Sequence, residues 1–226
     1  MRVATGWYRA WVRSRDVLLV LLAVTTGATD ATAFERLGHT FASVITGNIV
    51  LLGVGASGGD GRLALLSGVA LVGYAVGVLI AAPRRGTPNQ DSEWPPGTTI
   101  ALAGDLACLV VFALGWEITD GRPGRTGQTL LLAVAAIAMG MQSTAVRRLG
   151  QLSTTYLTST YTGLLEALVA RRWSDEHARS IGILVMAFGG AAAATGLILG
   201  ARALVPALQL VPLATVIVLG RRLGRG

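Results

Sequence analysis

The sequence predicts an all-α polytopic membrane protein with six to eight transmembrane or re-entrant helices, arranged in two internally repeated halves. The chain has 226 residues, of which 52% are hydrophobic and only 14% are charged, whereas a soluble domain carries about 25% charged residues. The mean hydropathy is +0.60. Apolar segments recur along the chain, and a polar motif of the first half returns in the second. We therefore expect one integral membrane domain over residues 1–226.

Eight apolar segments enter the bilayer in this interpretation, and several approach the roughly 18–20 residues that cross a ~30 Å hydrocarbon core. Polar, proline-rich loops such as Pro83–Gly97 and Glu117–Gly127 separate them, as is typical of the aqueous boundary. The predicted segments are Val17–Phe34, Thr40–Ala56, Leu63–Ala82, Thr98–Trp116, Leu130–Val146, Ser153–Ala170, Ile181–Ala201 and Leu204–Leu219.

The charge pattern predicts the orientation of the chain. All 19 basic residues are arginines, and the net charge is +7. In membrane proteins an excess of basic residues marks the cytoplasmic loops. Four arginines precede the first apolar segment and three follow the last. We expect both termini in the cytoplasm, and we attribute the positive charge to topology and not to nucleic-acid binding.

An internal repeat relates two stretches of the chain at an offset of 112 residues. Residues 30–48 align without gaps on residues 142–160, which places Asp30 on Gln142. This alignment predicts one half over about residues 17–116 and a second over about residues 129–220. The matched pairs include Leu37-Gly38 with Leu149-Gly150, Arg36 with Arg148, Thr46 with Thr158, Asn48 with Thr160, and Gly77 with Gly189.

Two topologies remain open at this point. If all eight segments span, the arginines divide 13 inside to 6 outside; if Thr40–Ala56 and Ser153–Ala170 are re-entrant, six helices span and the division is 14 to 5. Both satisfy the positive-inside rule. Three spans per half give an inverted repeat, whereas four give a parallel one. In either case Ser153–Ala170 must pack inside the protein, because it contains Glu166.

Asp30 is the first candidate functional residue. It follows Gly27 by three positions inside an apolar segment, where an acidic side chain costs at least a few kcal/mol unless it faces a cavity or a partner. It is a candidate substrate-binding residue and a candidate proton carrier or cation ligand. The alternative is an acid near the end of a helix, paired with Arg36 or with an arginine of the other half.

Two hydroxyl-rich stretches, Ser43–Asn48 and Ser153–Gly163, form the second candidate. Their side chains could replace the hydration shell of a polar solute, and a glycine lets the backbone unwind or a helix approach closely. Threonine also joins membrane helices without any ligand, so a structural role is the alternative. The predicted substrate-binding set is Asp30, Thr46, Gly47, Asn48, Gln142, Thr155, Thr158, Ser159 and Thr160.

Asp105 and Glu166 are further ionisable residues within apolar segments. Together with Asp30 they are the candidate residues for a coupling ion. The 112-residue offset pairs neither of them with an acid in the other half. Their alternative role is that of an acid at a helix end or one paired with an arginine.

The sequence predicts neither an enzyme nor a metal or cofactor site. It lacks a nucleotide-binding P-loop and the hydrolase and metalloprotease motifs. Two histidines and the single cysteine, Cys108, cannot form a metal cluster or a disulfide framework. The partners that we expect are the lipid bilayer and a small polar solute, with no nucleic acid.

The stretch Gly27–Gly53 resembles the signature of the YoaK-like family, bacterial integral membrane proteins of unknown function. The resemblance covers nearly the whole chain and implies a multi-pass helical protein of the bacterial inner membrane, without naming a substrate. Ser159 departs from the pattern, which usually has glycine there. The matching residues are Gly27, Asp30, Leu37-Gly38, Phe41 and Thr46-Gly47-Asn48 in the first half, and Gly140, Gln142, Thr154-Thr155 and Thr158-Ser159-Thr160 in the second.

These features predict a secondary transporter or permease for a small polar solute. Asp30 would couple to a proton or cation, and the two hydroxyl-rich stretches would line the solute site near the interface of the halves, as in other repeat-built transporters. The alternative is a non-transporting assembly or sensing protein whose polar residues only hold helices together.

Overall fold

The computed structural model describes residues 4–82, 94–95, 97–149, 157–171 and 174–223, with the backbone alone for residues 4–15, 157–160 and 175–176. All of the regular secondary structure in this part of the chain is helical. A single 3-10 turn, Arg202–Leu204, precedes the last helix. The helices are α1 (Ala4–Arg36), α2 (Ile45–Gly58), α3 (Gly61–Ala81), α4 (Thr98–Ile118), α5 (Arg125–Arg148), α6 (Leu157–Val169), α7 (Asp175–Gly200) and α8 (Val205–Leu223).

Six of these helices are long and apolar enough to cross a membrane, which confirms the predicted class of helical membrane protein. The two exceptions are α2 with 14 residues and α6 with 13. At 1.5 Å per residue each is only ~20 Å long, short of a ~30 Å hydrocarbon core. Each corresponds to one of the two segments that the sequence leaves open as re-entrant.

A tight turn joins α2 to α3. Gly59 ends α2 with a φ of 77°, and the side chain of Asp60 then caps α3 by accepting hydrogen bonds from the backbone N–H groups of Arg62 and Leu63 at 3.1 and 2.9 Å. Gly55 of α2 packs directly on the backbone of Ala64 of α3. The two helices therefore form an antiparallel hairpin.

Four helices close a ring at the centre of the molecule. Around this ring α1 contacts α8, α8 contacts α4, α4 contacts α5, and α5 contacts α1. Outside it, α3 packs on α5 and α7 on α1, while α2 and α6 cover α3 and α7. The most buried spans are α1 and α5, where 61% and 67% of an 18-residue apolar stretch is buried, against 28% and 17% in α3 and α7.

Contacts near both ends of α4 show that it runs antiparallel to both of its neighbours in the ring. Its residues Gly104 and Gly115 meet Met141 and Leu131 of α5, respectively. Against α8, the Trp116 indole N–H donates to the carbonyl oxygen of Arg202 over 2.9 Å. At the other end, the ring of Trp94, which precedes α4, covers Gly220 of α8.

Pairs of contacts at two positions along a helix also give the direction of α1. Val17 of α1 lies beside Leu219 of α8, and Thr25 lies beside Gln209, so α1 and α8 are antiparallel. The direction alternates around the ring, and α1 and α5 point in opposite directions. In contrast, α1 and α7 run in parallel, because Asp16 forms an ion pair with Arg179 (3.1 Å) and Gly27, further along α1, packs on Ala187, further along α7.

Glycines allow the closest helix crossings. At four of them an added Cβ would overlap a backbone carbonyl oxygen of the facing helix, so no side chain fits there without moving a helix. The contacts form two pairs. Within each pair the two glycines are 113 residues apart, and the residues that they meet are also 113 apart but in the opposite order. The pairs are Gly27 on Ala187 with Gly140 on Tyr74, and Gly77 on Ile137 with Gly190 on Val24.

Candidate functional site

A row of threonines lies on the buried face of α1. Thr26, Thr29 and Thr32 donate their hydroxyl protons to carbonyl oxygens one turn earlier in α1, over 3.1, 2.8 and 2.7 Å. Thr25 instead donates to the backbone carbonyl of Gln209 in α8 over 3.2 Å. Because every hydroxyl proton is used, the free lone pairs of these threonines can only accept hydrogen bonds.

Gln142 connects α5 to this row. Its amide nitrogen donates to the carbonyl oxygen of Leu22 over 3.1 Å and to the hydroxyl oxygen of Thr26 over 2.8 Å. The carbonyl can only accept, and the hydroxyl proton already goes to the same carbonyl, so the NH2 group must face α1. The amide oxygen of Gln142 is buried without a donor among the described residues.

Gln209 makes the equivalent contact from α8. Its amide nitrogen donates to the hydroxyl oxygen of Thr32 over 3.3 Å. The proton of that hydroxyl is directed to Ala28, which again fixes the orientation of the amide. The side-chain oxygen of Gln209 is buried, and no donor reaches it from the residues that the structure describes.

Asp105 is buried on α4, with 0% of its surface exposed. Neither carboxylate oxygen has a hydrogen-bond partner in the described part of the chain. Eleven residues of an α-helix turn about 1,100°, which returns to nearly the same face. Asp105 therefore shares the α8-facing side of α4 with Trp116, while its neighbour Gly104 faces Met141 of α5.

These side chains come from all four helices of the ring. Each lies within about two helical turns of the middle of its candidate span. We call this set the polar layer. Its members are Thr25, Thr26, Thr29 and Thr32 of α1, Asp105 of α4, Gln142 of α5 and Gln209 of α8.

The first predicted cluster has a different arrangement. Asp30 accepts hydrogen bonds from both the backbone N–H and the hydroxyl of Ser43, and it forms no ion pair among the described residues. Asn48 donates to the carbonyl of Phe41 over 2.6 Å and accepts from its N–H over 3.1 Å. Residues 37–44, which we call the clamped segment, are therefore held against α1 and α2.

The remaining predicted residues of the first cluster lie beside the clamped segment. Gly47 packs below the side chains of Phe41 and Val44. Thr46 is exposed on α2. Neither residue reaches the polar layer, and their predicted roles in solute binding stay predictions.

The second predicted cluster is described only in part. Gln142 belongs to the polar layer, whereas Thr155 lies outside the described residues. Thr158, Ser159 and Thr160 lie in the first turn of α6, where only the backbone is described. Glu166 is exposed on the same helix.

Sequence reasoning did not select Gln209 or the threonines of α1. The threonines had a signal, because positions 25, 29 and 32 recur at the spacing of one helical face. Gln209 had a weaker one, a lone amide within an apolar segment. Only the packing of α8 on α1 shows that the two features meet.

A ring of apolar helices around buried polar side chains defines a multi-pass helical membrane protein. The chain belongs to the family described as "Protein of unknown function (DUF1275)", whose model matches residues 18–219. It is 36% identical over 159 residues to the UPF0700 transmembrane protein YoaK of Bacillus subtilis (strain 168), an alignment that covers 70% of this chain and 68% of that protein. The resemblance to the YoaK-like family is thus confirmed. No solved structure matches the chain.

Proposed function

We propose that the protein is a secondary transporter or permease of the bacterial inner membrane for a small polar solute, and that the solute binds at the polar layer. The observation that carries this proposal is the set of buried oxygens without donors on Asp105, Gln142 and Gln209. A buried polar group without a partner costs about 1–3 kcal/mol. A membrane protein that retains several among its buried helices has a use for them, since intramembrane polar groups mark substrate and ion pathways.

We further propose that the two halves form an inverted repeat of three spans each, with α2 and α6 re-entrant. One support is the opposite directions of α1 and α5. A second is that Gly27 of the first half packs on the second half, while its equivalent, Gly140 of the second half, packs on the first. The halves correspond helix by helix, α1 to α5, α3 to α7 and α4 to α8. Transporters built in this way bind their solutes near the midplane, where the repeats meet, and the polar layer has that position.

The glycine contacts revise the register of the repeat within the helices. The sequence alignment at 112 residues pairs Gly77 with Gly189, but the equivalent contact is made by Gly190. The signature of the first half has ten residues between Gly27 and Gly38, whereas that of the second has nine between Gly140 and Gly150. The first half therefore has one residue more than the second between these two glycines. As a result, equivalent residues of the two halves are 113 positions apart at Gly27 and 112 positions apart from Gly38 onward.

The arginines support the orientation that this arrangement requires. With six spans, 14 arginines lie at the end of the bundle where α1 begins and 5 lie at the opposite end. The positive-inside rule assigns the first end, and with it both termini, to the cytoplasm.

Asp30 provides a route for coupling in this proposal. It lies on α1 between Thr29 and Thr32 and holds the clamped segment through Ser43. A proton or cation that changes the charge of Asp30 alters the hydrogen bonds of the clamped segment beside the solute site. Binding of the coupling ion would in this way change access to the polar layer.

A second function follows if the polar layer serves packing alone. The amide nitrogens of Gln142 and Gln209 already join α5 and α8 to α1, as polar residues do between membrane helices. The protein would then be a non-transporting assembly or sensing protein with a structural polar core.

A thermal-shift screen of detergent-purified protein separates the two functions. Amino acids, sugars, organic acids and nucleosides are added in a buffer of fixed composition. A ligand at about 100 times its Kd stabilises the fold by about 2.7 kcal/mol. We expect one class to give a saturable shift that Gln142→Leu removes and Gln128→Leu, in the first turn of the same helix, retains.

Hits from the screen are then tested for uptake into proteoliposomes. Uptake of the stabilising solute that is lost in Gln142→Leu would support the transporter. If no class of solute shifts the melting temperature of protein shown to be folded, the structural function is favoured instead.

A further inference from the structure

The unpartnered side-chain atoms of the polar layer share one chemical property. Four buried oxygens lack a donor among the described residues, namely both carboxylate oxygens of Asp105 and the amide oxygens of Gln142 and Gln209. All four are acceptors, and the two amide nitrogens are already engaged by α1. Whatever completes the layer must supply positive charge or hydrogen-bond donors.

Two basic residues follow Gln142 on α5. Arg147 is exposed, and the guanidinium of Arg148 is directed to the end of the bundle. Arg148 lies six residues after Gln142, where its guanidinium donates to the carbonyl oxygens of Gly97 and Ala81 over 2.7 and 2.6 Å. Those carbonyls lie at the end of the bundle, and Asp105 lies seven residues, about 10 Å, along α4 from its start at Thr98. Arg148 thus closes the gap between α3 and α4 and does not neutralise Asp105.

Proline adds another acceptor beside Gln209. Pro212 lies inside α8 and has no backbone N–H, so it cannot donate to the carbonyl oxygen four residues earlier, that of Leu208. Leu208 directly precedes Gln209. A carboxylate, two amide oxygens and a backbone carbonyl are the kinds of ligand that replace the hydration shell of a hard cation. One carboxylate balances a single positive charge.

We propose that Asp105, Gln142 and Gln209 bind one monovalent alkali cation between α4, α5 and α8. The site deepens the proposed transport function by naming a second position, Asp105, at which a cation couples to the solute, and the coupling rests on that function. Cation binding itself does not rest on it, and can be measured without any solute.

Sodium titration of the purified protein tests the site directly. NaCl replaces N-methyl-D-glucamine chloride at constant ionic strength and pH, without added solute, and the melting temperature is recorded; LiCl and KCl series follow. We expect a saturable rise in melting temperature for at least one alkali cation in the wild type. Asp105→Asn, which is nearly isosteric, should abolish the rise, and Gln209→Leu should shift its midpoint at least tenfold upward.

A matched control separates the site from general salt effects. Glu117→Gln removes an exposed acid from the same helix and should leave the titration unchanged. If Asp105→Asn does not fold, Gln209→Leu and the wild-type comparison of alkali cations with N-methyl-D-glucamine still decide the question.

The outcomes distinguish this proposal from the transporter. Absence of any alkali-dependent stabilisation in the wild type overturns the cation site, as does a response that survives in Asp105→Asn. A solute-induced shift that is the same with and without alkali cations would support the transporter and overturn its alkali coupling. An alkali-dependent shift without any solute-dependent one would support the cation site and contradict the solute site.

Discussion

Asp30 and Ser43, thirteen positions apart, are joined by two hydrogen bonds that use both oxygens of the carboxylate. The backbone N–H of Ser43 donates over 2.8 Å and its hydroxyl over 2.5 Å. Ser43 lies just before the start of α2, so the negative charge lies near the positive end of the dipole of that helix. The pair folds the chain back along α1 and sets where the re-entrant helix begins.

The first prediction concerns the strength of this pair. Hydrogen bonds to a charged group contribute about 1.5–3 kcal/mol. We expect Ser43→Ala to lower the free energy of unfolding by an amount in this range, because the backbone donor remains. Asp30→Leu should cost more, because it leaves both donors of Ser43 without acceptors. Unfolding in detergent measures both, and Glu35→Gln, which removes an exposed acid of α1, serves as the control.

A double-mutant cycle decides whether Asp30 acts through Ser43. The cycle combines Ser43→Ala with Asp30→Leu. Its coupling energy should be a large share of the loss caused by Ser43→Ala alone, since each substitution removes the same hydrogen bond between the Ser43 hydroxyl and the Asp30 carboxylate. Additive losses would show that Asp30 stabilises the fold by another route.

The second prediction concerns Asn48. Its amide donates to and accepts from the backbone of Phe41, so Asn48→Leu leaves two backbone groups without partners. We expect a loss of about 1–3 kcal/mol in the free energy of unfolding and faster hydrogen exchange across the clamped segment. Thr46→Val, on the exposed side of the same helical turn, should change neither quantity. Equal effects of the two substitutions would contradict the clamp.

Much of the fold could be predicted because apolar segments and loops are local features. All eight predicted segments contain a helix, and the six long helices match the longer segments. One boundary moved for a tertiary reason. The segment that begins at Thr40 becomes helical only at Ile45, because Asp30 and Asn48 hold the preceding residues in a non-helical return of the chain.

The site was less predictable, because it depends on which helices meet. Asp30 has an arginine, Arg36, nearby in sequence, yet its carboxylate is used by Ser43 on the returning chain. Gln209 contacts Thr32, which is 177 residues earlier. No local pattern brings these residues together, and only the ring of α1, α8, α4 and α5 does so.

The third prediction uses two adjacent glycines of α7. Gly190 packs on the carbonyl oxygen of Val24 in α1, whereas a Cβ at Gly189 would meet nothing within 4 Å. We expect Gly190→Ala to destabilise the protein by about 1–3 kcal/mol, the usual cost of overpacking, and to reduce the yield of folded protein. Gly189→Ala should be neutral or stabilise by up to about 1 kcal/mol, since alanine favours the helix.

The outcome also tests the register of the repeat. Gly77→Ala, at the equivalent crossing of α3 on α5, should behave like Gly190→Ala. If Gly189→Ala is the more harmful of the two α7 substitutions, the crossing of α7 on α1 is wrong by one residue.

The last prediction tests the inverted topology with single cysteines. Cys108→Ser removes the natural thiol, and cysteines are then placed at Ser57 and Thr126, which are exposed at the ends of α2 and α5. With six spans both lie outside the cell, because α2 does not cross the membrane; with eight spans both lie in the cytoplasm. We expect a membrane-impermeant maleimide to label both positions in intact cells.

Two further positions calibrate the labelling. Ala203→Cys, in the turn before α8, lies outside in either topology and should always react, whereas Arg171→Cys, after α6, lies inside in either topology and should react only after lysis. Protection of Ser57→Cys and Thr126→Cys in intact cells, with Ala203→Cys labelled, would establish eight spans. The repeat would then be parallel, and the opposite directions of α1 and α5 would be incorrect.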